Sequence, residues 1–120
     1  MSVKALTGLL PEWYTLESEL NENGDPVDDA AAFYVVPLTQ VQVLELQGEH
    51  MDMEAEMMKA SGFAAAFRIG CKDWRNVVDD QGNPLPWNRA NATHIAAQHQ
   101  QEVGIKIFNI SIFTEDDLKN

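Results

Sequence analysis

Basic residues are scarce in this 120-residue chain: eight Lys and Arg stand against nineteen Asp and Glu, a formal net charge of −11. Phosphate-backbone binding draws its affinity from clustered Lys and Arg, so no nucleic-acid partner is expected. The same charge favours solubility and basic partners, and it leaves open an acidic mimic that occupies another protein's DNA site. Cysteine is nearly absent; Cys71 alone excludes an internal disulfide. With Phe63, Phe67 and Trp74 around it at helical spacing, it reads as a small core residue rather than a reactive thiol. No apolar run approaches the ~20 residues of a membrane span, and no basic start followed by an apolar segment opens the chain at Met1. A soluble cytoplasmic protein with no membrane partner is expected.

Motifs of catalysis and metal binding are missing as well. His94 and His99 would point to different faces of one helix, His50 and Asp52 diverge in the same way, and neither a His-Glu-x-x-His nor a paired-Cys motif occurs. A calcium loop needs glycine at its sixth position and glutamate at its twelfth. Counted from Asn21 those positions hold Pro26 and Ala32, and from Asp79 they hold Pro84 and Ala90. There is no Gly-x-Ser-x-Gly elbow and no phosphate-cradling glycine loop, and the many carboxylates read as solvated faces. No catalytic, cofactor or metal residue is assigned.

What is present suggests a single α+β domain spanning 1–120, mostly helical, with an N-terminal β-hairpin packed on about three helices. In "PEWYTLESEL" (11–20) the alternation of Trp13, Thr15, Glu17 and Glu19 with Tyr14, Leu16, Ser18 and Leu20 suits a half-exposed strand. Asn23-Gly24 and Asp25-Pro26 supply a turn, and "AAFYVVPL" reads as the second strand, stopped by Pro37, so the hairpin region covers 1–38. Thr39-x-x-Gln42 has the form of a capping box, which opens the helical region 39–120 with a helix from about Gln40. Its apolar positions are Val41, Leu44 and the Val43/Leu46 pair, and Gly48 is expected to break or bend it. "EHMDMEAEMMKASGF" continues with helix formers, Met51, Met57 and Met58 near one face. Phe63, Phe67, Cys71 (or Gly70) and Trp74 then make the strongest helical stripe in the chain. In 92–113 Val103, Ile107 and Ile110, with Phe108 and Ile112, fit a last helix, and Thr114-Glu115-Asp116-Asp117 resembles a further capped start. No internal repeat is evident.

The densest stretch is "DWRNVVDDQGNPLPWNRAN" (73–91), in which Gly82 supplies positive φ and Pro84 and Pro86 stiffen a connector over 78–91. Trp74 is expected inside; Leu85 and Trp87 offer an apolar patch to a partner. Met51, Met53, Met57 and Met58 could add adaptable contacts, because unbranched thioethers repack against different surfaces.

Taken in order, "YVVPLT" (34–39), Trp74, "VDDQGNPLP" (78–86), Asn91 and "SIFTEDDLKN" (111–120) resemble the tail assembly chaperones of long-tailed bacteriophages, over roughly residues 33–120. The resemblance implies a non-catalytic protein of the host cytoplasm that binds the tape-measure protein and recruits tail-tube subunits. It also makes a homo-oligomer plausible for coating a long helix. In many members a ribosomal frameshift near the end of the reading frame adds a second domain, and the terminal Lys-Asn is compatible with one. The rival readings are a virion structural protein of the neck or tail-completion type, and an acidic DNA mimic that inhibits a host nucleic-acid-binding complex. The carboxylates fall in several separate patches, which disfavours the mimic.

Overall fold

The computed structural model describes residues 9–112. It is an α+β fold in which a three-stranded antiparallel sheet lies against packed helices. Strand β1 (Glu12–Thr15) pairs with β2 (Ala32–Val35), placing Trp13 opposite Tyr34 and Tyr14 opposite Phe33. Alternation sends Phe33 and Val35 into the core while Trp13 and Tyr34 stack on the outer face, ring centroids 5.2 Å apart. The hairpin read from the sequence is therefore present. Its first strand is shorter than expected, ending at Thr15, because Glu17–Glu19 form a 3₁₀ turn instead of continuing the alternation.

Helix α1 (Gln40–His50) starts on the expected capping box: the Thr39 hydroxyl accepts from the Gln42 N–H at 3.2 Å, and the Gln42 side chain accepts from the Thr39 N–H at 2.9 Å. Val43 and Leu46 are buried, whereas Val41 and Leu44 face solvent. Gly48 does not break the helix, since its position on the open side carries no packing demand.

The structure departs from the sequence expectation in two segments. The methionine-rich stretch is not a helix but a two-stranded hairpin, β3 (Met51–Asp52) with β4 (Met57–Met58). A helix would have lined up Glu49, Asp52 and Glu56 as like charges on one side. Instead the Asp52 carboxylate accepts the N–H groups of Glu54 and Ala55 at 3.0 and 3.1 Å, and Glu56 takes φ 55° to close the turn.

The Phe63 stripe does not stay helical either. Helix α2 (Ala60–Gly70) ends at Gly70, and Cys71 and Trp74 belong to strand β5 (Cys71–Arg75), which joins the far edge of β2. The region after residue 38 is thus not purely helical. A bulge explains the misreading: Tyr34 pairs with Asp73 but Val35 pairs with Cys71, so Lys72 is the extra residue. Both Cys71 and Trp74 then face the core at a spacing of three, which imitates a helix. Trp74 packs edge-on to Phe33 at 6.1 Å, and Phe33 to Phe67 at 5.8 Å.

A one-turn helix α3 (Arg89–Ala92), capped by the Asn88 side chain, leads into the long α4 (Ala97–Ser111). Val103 and Ile107 are fully buried, and Gly104 sits against the Phe63 backbone, so α2 and α4 cross in close contact. Gln100, in the polar run that starts α4, is buried because its amide donates to the Ile95 carbonyl at 2.7 Å and accepts from Arg68 at 3.3 Å. The end of α4 is tied to the start of α1: Ser111 Oγ accepts from the Leu38 N–H at 2.8 Å, and the Gln40 amide donates to the Ser111 carbonyl at 2.9 Å. The acidic start expected at Thr114 lies outside the described residues.

Candidate functional site

The connector after Trp74 is built by its own side chains. Asp79 Oδ1 accepts from the N–H groups of Gln81 and Asn83 at 2.9 and 3.0 Å, and the Asp79 N–H donates to the Asn83 carbonyl at 2.8 Å. Gly82 supplies the turn at φ 81°, and Val78 bridges to Pro84. The return arm is held by two bonds: the Leu85 N–H donates to the Val77 carbonyl at 2.9 Å, and the Trp74 indole donates to the Leu85 carbonyl at 2.7 Å. Asn91 then fastens the exit, its amide donating to the Pro86 carbonyl at 2.9 Å.

The same turn occurs in the first hairpin. Asn21 Oδ1 accepts from the N–H groups of Asn23 and Asp25 at 2.9 and 3.1 Å, Gly24 has φ 81°, Leu20 bridges to Pro26, and the Val27 N–H donates to the Glu19 carbonyl at 2.8 Å. "LNENGDPV" (20–27) and "VDDQGNPL" (78–85) are one motif: apolar, Asx, acid, amide, Gly, Asx, Pro, apolar. Each follows an acid-Trp pair, Glu12-Trp13 or Asp73-Trp74, on a strand. This repeat was missed in the sequence because the first copy carries extra residues, including the 3₁₀ turn, between its Trp and its turn.

Beside the second of these turns lies a groove of about 630 Å³, which Leu16 and Glu19, ahead of the first turn, also line. Leu16, Phe33 and Leu85 contribute apolar lining, and Glu19, Asp79, Asp80, His94 and His99 its polar groups. His94 precedes α4 rather than sharing a helix with His99, which is how residues expected to diverge reach one groove. His99 Nδ1 is buried there with no hydrogen-bond partner. Among the described residues no three His, Cys, Asp or Glu are grouped to hold a metal ion.

Of the six residues singled out for partner binding, Met53 and Met57 are exposed and the other four are half-buried. Leu85 and Trp87 are half-buried and pack against the core, and the Trp87 N–H is buried without an acceptor in hydrogen-bond geometry, although it favours the Cys71 thiolate slightly. Cys71 is itself buried, and chiefly for that reason its thiol is pushed up to about 12, against a smaller lowering from the Asp73 backbone. Met51 and Met58 are half-buried, Met58 wedged near Gly62. Met53 and Met57 are 82% and 64% exposed, and Val41 and Leu44 on α1, directly before this hairpin, are 64% and 67% exposed. Four of the nine exposed large apolar side chains among the described residues fall on the segment 41–57; the others are Leu10, Trp13, Val27, Val78 and Ile105. The sequence signal for Val41 and Leu44 was their separation by one residue each from the buried pair Val43/Leu46, a pattern that a single helix cannot bury on all sides. Compared with known proteins, the chain matches no family model, no curated protein and no solved structure.

Proposed function

We propose that this chain is a non-catalytic tail assembly chaperone of a tailed bacteriophage, working in the host cytoplasm to keep the tape-measure protein dissolved and to recruit tail-tube subunits. The motif order described above suggests the family. The observation that carries the reading physically is the exposed set Val41, Leu44, Met53 and Met57 on a segment that also bears Glu45, Glu49, Asp52, Glu54 and Glu56. A protein that shields sticky helices needs apolar side chains open to solvent and enough like charge nearby to keep the complex soluble. Methionine suits such a surface because it adapts to successive turns of a long partner.

The test is co-purification with the tape-measure protein. Met53→Ser together with Met57→Ser should reduce recovery about tenfold while leaving the unfolding midpoint nearly unchanged, since exposed side chains contribute little to stability. Trp87→Ala is the poorer probe, because a half-buried indole also supports the fold. Failure of the wild-type chain to associate, or its presence as a fixed component of purified virions, would overturn the chaperone reading.

A further inference from the structure

The second groove of the molecule has the opposite electrical character from the chain as a whole. Arg68 from α2, Lys72 from β5 and Arg89 from α3 line a groove of about 500 Å³ together with Gln42, Ala65, Ile69 and Thr93, and no carboxylate lines it. Residues 9–112 contain six Lys and Arg: Lys59, Arg68, Lys72, Arg75, Arg89 and Lys106. Lys106 is paired with Glu12 at 2.7 Å, and Arg75 lies over the Trp13 ring at 4.6 Å. The three in the groove make no ion pair among the described residues; Arg68 only donates to the neutral Gln100 side chain at 3.3 Å.

Such an arrangement is unexpected in a chain with nineteen acids and eight bases. Three elements gather like charges that repel one another, and among the described residues no carboxylate pairs with them. We propose that this groove binds a carboxylate-rich peptide segment of a partner protein. Planar guanidinium groups at Arg68 and Arg89 match carboxylates in two-bond geometry, and Lys72 adds a third positive point. Ala65 and Ile69 give the same groove an apolar wall, so the segment carries an apolar side chain beside its acids. Its volume accommodates a few side chains. A nucleic-acid strand is disfavoured because its phosphates extend past the groove onto a surface of net negative charge. The inference does not depend on tape-measure binding, proposed for the exposed side chains Val41, Leu44, Met53 and Met57, none of which lines this groove.

The experiment measures fluorescence anisotropy of a labelled peptide of alternating Glu and Leu titrated with the full chain. Saturable binding is expected, weakened about tenfold by Lys72→Gln with Arg89→Gln, further by Lys72→Glu with Arg89→Glu, and largely lost in about 0.5 M salt. Circular dichroism establishes that these exposed-site variants stay folded. A peptide with Gln in place of Glu should not bind. The proposal is overturned by absence of saturable binding, by equal binding of the variants or of the Gln peptide, or by inorganic phosphate or a single-stranded oligonucleotide binding more tightly than the Glu peptide.

Discussion

Residue 104 shows how one missing side chain sets a helix crossing. Glycine in a helix interior ordinarily costs about 1 kcal/mol relative to alanine, so Gly104→Ala should stabilise α4 in isolation. In the folded protein a Cβ at this position would overlap the Phe63 carbonyl, a backbone group that cannot rotate away. Overpacking costs about 1–3 kcal/mol, and against backbone the upper part of that range applies. Gly104→Ala is therefore expected to destabilise by a net of about 2 kcal/mol in urea titration; an unchanged or raised midpoint would show that the helices separate freely. Nothing in the run Glu102-Val103-Gly104-Ile105 marks this contact, because a glycine between apolar residues reads equally well as a weak point in a helix. Glu102 was equally silent. Its carboxylate accepts from the Tyr14 hydroxyl at 2.6 Å and from the Glu17 N–H at 2.9 Å, locking α4 to the first hairpin across 88 and 85 positions of sequence.

At the scale of elements, the two Asx-Gly-Pro turns invite a matched comparison. Gly24 and Gly82 share a φ of 81°, and a Cβ built on either meets nothing within 4 Å. Replacement by alanine thus carries only the left-handed backbone penalty, about 1 kcal/mol at each position. Gly24→Ala and Gly82→Ala should shift the unfolding midpoint by similar amounts, and asparagine should restore part of the loss at both; a several-fold difference would show that the turns are not energetically equivalent. The hairpin and the capped start of α1 were legible because turn chemistry and capping boxes act over a few residues. The β3–β4 hairpin and β5 were not. Helix propensity in "EAEMMKA" and the spacing of Phe63, Phe67, Cys71 and Trp74 pointed to continuous helix, and both were overridden by pairing partners: Met58 for Met51, and Val35 and Phe33 for Cys71 and Trp74.

For the molecule as a whole, the shielded protons of Cys71 and Tyr14 contribute to the loss of stability at alkaline pH. Burial is the largest cause of the raised Cys71 value, and burial followed by the Glu102 hydrogen bond and charge raises Tyr14. Each group holds its proton more tightly folded than unfolded, so its contribution is intact below its ordinary value, 9.0 for Cys71, and is lost as pH rises through the folded value of about 12. The urea midpoint should fall steadily from about pH 9 upward, and Cys71→Ala should make that fall shallower. A midpoint that is flat over this range would contradict the shielding of both protons.

Read alone, the amino-acid order determined the α+β class, the first hairpin, the capped helix at Gln40 and the apolar character of the last helix. Each depends on local chemistry or on a short period that every folded state of the chain must respect. Tertiary structure alone decided that a bulge at Lys72 turns a helical stripe into a strand. It likewise decided that Val41 and Leu44 stay exposed while Val43 and Leu46 do not, and that Arg68, Lys72 and Arg89 meet in one groove. Those outcomes depend on which surfaces remain after α2, α4 and the sheet have buried one another, and residues far apart in the chain compete for that burial.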